Sequence, residues 1–211
     1  NQTVVNSLYF MLQVNRETIL DDSIEKLSRT KSSLKNPLKV AFLGEMGDDG
    51  GGVKKEYFQL LIKEIFNPNR DLFVTKGNGR LHWFNAQTFE APIMFEFLGM
   101  ILGLSIYNTT LLELKFPKVL YKKLLQRQGQ TLDALEELKE IEPDYYKSFK
   151  YLLETQESLD TLEMTFEAEM ENYGIKTVHL LKPYGNMIAV TQSNKNEYVH
   201  LYADWLLNKS V

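Results

Sequence analysis

Cysteine is absent from the 211 residues. The chain can therefore hold no disulfide framework, no thiolate metal site and no cysteine nucleophile of its own, a composition that suits a reducing compartment. Histidine is scarce. His82, His179 and His200 stand far apart and share no ligand spacing, so neither a metal site nor a histidine-based triad is expected. An excess of one charge is also lacking, with 24 Lys and Arg against 28 Asp and Glu and a net charge of −4. No basic surplus points to a nucleic-acid backbone or an anionic membrane surface. Long hydrophobic runs are missing too. The longest, Ile93 to Tyr107, is broken by Glu96 and falls short of the roughly 20 residues a bilayer span needs. A soluble chain is expected. It opens on Asn1 with no charged-then-apolar leader, which leads us to expect a piece of a longer protein.

What is present suffices for a sizeable core. Hydrophobic residues make up 44% and aromatics 12%, enough for one domain or one domain with a small appendage. Apolar residues over 1–30 recur at mixed three- and four-residue steps and predict helix to about Ser28, with Asp21 or Asp22 as a cap. Leu38 to Leu43 alternates with β-branched and aromatic residues and predicts a strand. The glycine-rich loop Gly44 to Gly52 follows, then a helix from Val53 to about Phe66, stopped by Asn67-Pro68. Phe73 to Asn85 predicts a hairpin turning at Lys76-Gly77-Asn78-Gly79. Ile93 to Asn108 is apolar nearly all round. It predicts a helix in the middle of the core, with Gly99 and Gly103 allowing close neighbours.

Phe116-Pro117 opens another helix, ending near Gly129. Short amphipathic helices are predicted over Leu132–Ile141 and Asp144–Thr155. Leu162 to Phe166 alternates like a strand, and His179 to Val190 resembles a hairpin turning at Pro183 to Asn186. A last helix runs from about Asn194 to Leu207. The fold class expected is mainly α with minor β.

Several strings, in order along residues 38–211, are similar to those of HECT ubiquitin-ligase N-lobes. They are Leu38-Lys39-Val40, Asp49-Gly50-Gly51-Gly52-Val53-Lys54-Lys55-Glu56-Tyr57-Phe58, Glu64-Ile65-Phe66-Asn67-Pro68 and Trp83-Phe84-Asn85. Then come Phe97-Leu98-Gly99, Gly103-Leu104-Ser105-Ile106-Tyr107-Asn108, Phe116-Pro117 and the closing Leu201-Tyr202-Ala203-Asp204-Trp205-Leu206-Leu207-Asn208-Lys209-Ser210-Val211. The set resembles the branch containing the E6-associated and HERC ligases more than the WW-domain branch.

This resemblance implies a large helical subdomain over 1–137 and a small protruding subdomain over 138–196 that grips a ubiquitin-conjugating enzyme. It also implies a return helix over 197–211 leading to a hinge. The cysteine that accepts ubiquitin would lie in a C-lobe outside this chain, so the chain alone is expected to be inactive, with no catalytic residue, metal or cofactor of its own. The groove residues implied are Tyr145, Ser148 and Phe149 on one helix, Leu162 and Met164 on the strand-like stretch, and Tyr198 and Tyr202 one turn apart on the last helix. Thr155 stands where related sequences often carry tyrosine, which would alter the grip.

Expected partners are the conjugating enzyme, ubiquitin itself and protein substrates bound through regions outside the chain, with no nucleic acid and no membrane. The location expected is cytoplasmic, with the nucleus also open. The competing reading is a HECT-like scaffold that binds other proteins without a conjugating enzyme; the apolar residues kept at 149, 162 and 164 count against it. A nucleotide-binding enzyme ranks third. The glycine loop has no GxxxxGK[ST], Asp48 and Asp49 would repel phosphate, and Glu136-Glu137 and Glu169/Glu171 sit in charged, solvated stretches.

Overall fold

A computed structural model of the chain describes residues 8–29, 34–45, 51–126, 131–172 and 174–210. The expectations for residues 1–7 and for the middle of the glycine loop with Asp48 and Asp49 lie outside the described residues, and the helix expected to end near Gly129 ends at Leu125, where Gln126 turns extended. The chain divides into two compact units, residues 1–72 with 89–114, and residues 73–88 with 115–211.

In the first unit the helix expected from the start of the chain gives way to a strand, β1 (Phe10–Val14). Phe10, Leu12 and Val14 are buried while Met11 and Gln13 face out, a period of two that a mixed apolar run conceals. β1 pairs in parallel with β2 (Leu38–Phe42), from Phe10 opposite Leu38 to Val14 opposite Phe42. Between them runs α1 (Ile19–Arg29), with Asp21 and Asp22 in its first turn and Arg29 in its last, as the helix dipole favours. α2 (Gly52–Ile65) buries Tyr57, Phe58, Leu61 and Ile65. The Tyr57 hydroxyl donates to Ser23 Oγ of α1 at 2.9 Å, which satisfies both buried groups. Arg16 joins the pieces. Its guanidinium bonds Glu45 and Glu56, the latter at 2.7 Å, and lies 3.9 Å from the Phe42 ring centre. The same guanidinium holds both carboxylates below their ordinary range.

α3 (Ile93–Tyr107) corrects the expectation of a helix surrounded by core. Met94, Phe97, Leu98, Ile101 and Leu104 are buried along one face, whereas Ile106 is 77% exposed. Nothing stands within 4 Å of where a Cβ on Gly99 or Gly103 would project, so neither glycine serves a close approach. The helix is tied to β2 by Asn108, whose Oδ1 accepts from Leu38 N at 2.8 Å. Among the described residues no helix is long and apolar enough to cross a membrane.

The second unit opens with the expected hairpin, β3 (Phe73–Lys76) and β4 (Leu81–Phe84), paired from Phe73 opposite Phe84 to Lys76 opposite Leu81. Its turn places Gly77, Asn78 and Gly79 at φ values of 57°, 60° and 76°. A Cβ on Gly77 would meet Glu140 O at 2.7 Å, so that position excludes a side chain twice over. Among the described residues four α-helices follow: α4 (Lys118–Leu125), α5 (Ala134–Ile141), α6 (Pro143–Glu154) and α7 (Lys195–Asp204). Asp133 caps α5 by accepting from Leu135 N at 3.1 Å and Glu136 N at 3.3 Å. Proline at the first position of α6 fixes where that helix starts. α5 packs on α6 and on α7, and α6 packs on α7.

Two strand expectations are corrected between α6 and α7. Leu162 to Phe166 is not a strand: a 3₁₀ turn covers Asp160–Leu162, and a single bridge joins Thr165 to Ala189. The hairpin lies earlier than His179 to Val190, as β5 (Glu167–Asn172) against β6 (Ile175–Leu180). The glutamate-rich β5 carries little strand propensity, and β6 is exposed along its length, so main-chain pairing decides what side chains do not signal. Pro183 to Asn186 turns inward instead of closing a hairpin. A Cβ on Gly185 would sit 2.3 Å from Phe166 O, and Phe166 N donates to Gly185 O at 3.0 Å.

Candidate functional site

The seven residues singled out in the sequence all fall in the second unit. α6 brings Tyr145 and Phe149 one turn apart, their ring centres separated by 5.9 Å. α7 supplies Tyr202, 5.7 Å from Tyr145 and 5.3 Å from Phe149, and Tyr198, which meets Tyr202 edge-on at 5.7 Å. Tyr145, Phe149, Tyr198 and Tyr202 thus form one continuous aromatic cluster. Tilted and edge-on pairs at such distances are the favoured arrangements of ring quadrupoles.

The members differ in what they present. Phe149 is 5% exposed and both α7 tyrosines are buried, so they make the floor and not the surface of the cluster. Tyr145 reaches solvent at 37%, and Ser148 beside it on α6 is exposed. Leu162 ends the 3₁₀ turn 53% exposed, and Met164 is half-buried with its carbonyl accepting from Val190 N at 2.8 Å. Two residues beyond Met164, Phe166 is fully buried and meets Tyr198 edge-on at 5.5 Å, so the connection that carries Leu162 and Met164 runs onto the cluster. Tyr145, Ser148 and Leu162 are the exposed members of the set.

Burial also sets the chemistry of the tyrosines. It pushes the Tyr198 hydroxyl up to about 12, with Tyr145 adding to the shift, and raises Tyr202 still further. These phenols stay neutral near pH 7 and cannot serve there as bases. On the outer side of α6, Lys150 bonds Glu136 of α5 at 3.1 Å and holds that carboxylate below its usual range. Exposed Tyr145, Ser148 and Leu162 over a buried aromatic floor offer chemistry of shape and apolar contact.

Beside Phe166, sequence reasoning missed three contributors. Trp205 meets Tyr202 edge-on at 5.9 Å, and its spacing of three from Tyr202 was the available signal. His179 of β6 stacks on Trp205 at 5.5 Å, a neighbour that only the displaced hairpin creates. Lys195, 6% exposed, donates to Thr155 O at 2.6 Å and ties the end of α6 to the start of α7. A buried lysine has no sequence signature. Beside the cluster a cavity of about 260 Å³ is lined by Trp83, Leu138, Tyr145, Met170 and Trp205, among others.

The HECT-domain (ubiquitin-transferase) family profile matches residues 59–211. The chain is similar to the probable E3 ubiquitin-protein ligase HERC4 of Rattus norvegicus, 41% identical over 204 residues, which are 95% of this chain and 19% of that protein. It is similar to the probable E3 ubiquitin-protein ligase HECTD2 of Mus musculus, 35% identical over 98% of this chain and 28% of that protein. It is also similar to the probable E3 ubiquitin-protein ligase HUL4 of Eremothecium gossypii, 34% identical over 98% of this chain and 26% of that protein. The chain spans between 19% and 28% of the length of these relatives. A family match over well over half of the residues, with the ordered motifs from Leu38 to Ser210, leads to one conclusion: the chain belongs to the HECT-domain family of ubiquitin transferases.

Proposed function

We propose that this chain is the docking half of a HECT ubiquitin ligase. It holds a ubiquitin-conjugating enzyme so that ubiquitin passes, thioester to thioester, to a cysteine in a following lobe and then to a substrate lysine. Residues 138–196, within the second unit, are the gripping subdomain in this reading. The observation that carries it is the aromatic cluster of α6 and α7, with Tyr145 and Ser148 at its open edge and Leu162 exposed on the connection that follows α6. A rigid, buried aromatic floor beneath a few exposed apolar groups suits a partner's apolar loop residue, and a few such anchors carry most of an interface's energy. The conjugating enzyme must leave after each transfer, so a small interface of micromolar affinity, about −8 kcal/mol, fits the cycle. Substrates are selected by regions outside this chain, and the whole protein works in the cytoplasm or nucleus.

The burial of Phe149 shapes the test. Its truncation would disturb the lobe itself, so exposed positions report on docking more cleanly. A panel of conjugating enzymes is titrated by calorimetry against the chain and its Ser148→Arg and Leu162→Asp variants. Saturable binding to at least one member, weakened about tenfold or more by either variant with unchanged melting, supports docking. A folded chain that binds none of the panel transfers the reading to a HECT-like scaffold.

A further inference from the structure

α7 does not end as an ordinary helix. Beyond Asp204 it opens into a π turn, Trp205–Lys209, in which Ser210 N donates to Trp205 O at 2.9 Å across five residues. Such turns are rare and mark functional positions often enough to ask what holds this one. Ser210 Oγ donates to Leu206 O at 2.9 Å. Lys123, reaching in from α4, donates to Leu207 O at 2.9 Å and to Asn208 Oδ1 at 2.6 Å. Asn208 Nδ2 in turn donates to Asp204 Oδ1 at 2.7 Å, and Lys209 pairs with Asp204 Oδ2 at 3.1 Å. Burial draws Lys123 down from its ordinary range against the pull of Asp204, and its ammonium lies 5.8 Å from the Trp83 ring centre.

Lys123 is the member of this network that comes from another helix, so it anchors the turn to the body of the unit. Leu207 is 1% exposed, and its carbonyl without the ammonium would lose a charge-assisted partner in a place water does not readily reach. The turn would then gain by rewinding as α-helix, which removes one residue per ring. A shift of one residue rotates the departing chain by about 100°.

We propose that Lys123 is a positioning residue for ubiquitin transfer. By clamping Leu207 and Asn208 in the π turn, it sets the direction in which the main chain leaves α7, and with it the approach of the cysteine-bearing lobe to the docked conjugating enzyme. The inference rests on the docking reading above but uses a residue outside the groove.

The test is made in the full-length protein with Lys123→Met, which keeps the unbranched apolar stem, and with Lys123→Arg. Conjugating-enzyme affinity and single-turnover transfer of ubiquitin to the enzyme's own cysteine are measured separately. Lys123→Met is expected to leave affinity within about twofold while slowing transfer about tenfold, because small misplacements of reacting groups cost rate and not binding. Lys123→Arg restores most of the rate. Transfer at the wild-type rate in Lys123→Met, or affinity and transfer falling together, overturns the proposal. Should Lys123→Met not fold, Asn208→Ala removes one of the two acceptors at an exposed residue. An unchanged transfer rate there overturns the proposal equally, and a slowed one with intact affinity supports it. Wild-type protein that neither docks nor transfers would sink the docking reading itself, a failure recognisable before any variant is made.

Discussion

Phe149 shows how much one residue's role depends on its surroundings. Its spacing from Tyr145 and Leu152 on α6 identified a shared face correctly, but the choice between floor and surface required α7 to be in place. With Tyr202 packed on it and 5% exposure, Phe149→Ala is expected to cost about 3–4 kcal/mol of stability, read by chemical denaturation. Ser148→Arg at the exposed neighbour should leave the midpoint unchanged. The tyrosine cluster carries a pH signature. Buried phenols whose folded pKa exceeds the unfolded value near 10 stabilise the fold fully below that value. That contribution is lost as pH rises toward about 12, the folded value of Tyr198. Absorbance titration followed beside circular dichroism reads this signature. Tyr57, Tyr198 and Tyr202 should ionise only with cooperative alkaline unfolding. Ionisation of these three while the fold is still intact would contradict their burial.

At the scale of elements, helix starts were legible. α2, α5, α6 and α7 start within two residues of the expected positions, and in two of them a local constraint sets the start: the Asp133 cap of α5 and the proline that opens α6. The Asp133 cap makes a modest prediction: Asp133→Ala should cost about 1 kcal/mol. Two strands fared worse. β1 was concealed because its partner β2 begins at residue 38, and β5 because its polar side chains say nothing of its pairing with β6. Glycines divide likewise. Gly99 and Gly103 sit in open space despite their suggestive spacing, whereas Gly185 lies against the Phe166 carbonyl. Gly185→Ala is expected to destabilise by about 2 kcal/mol or more, while Gly103→Ala should be neutral or slightly stabilising, as helix propensity favours alanine. Paired thermal melts of the two variants decide the point.

For the whole molecule, some conclusions needed no coordinates. Without cysteine, the chain incubated with activating enzyme, conjugating enzyme, ATP and ubiquitin should form no thiol-sensitive ubiquitin adduct, as seen on non-reducing gels. Its family membership was likewise legible, because ordered local motifs survive substitution elsewhere. The mainly α class with minor β followed from periodicity, since 3.6- and 2-residue repeats are properties of the chain itself. Only the tertiary structure decided the rest. It separated buried Phe149, Tyr198 and Tyr202 from exposed Tyr145, Ser148 and Leu162, and it placed the second hairpin at Glu167–Leu180. It also brought Lys123 of α4 to the end of α7. Burial and long-range pairing depend on which elements meet, and a one-dimensional pattern records what a residue prefers, not what comes to lie against it.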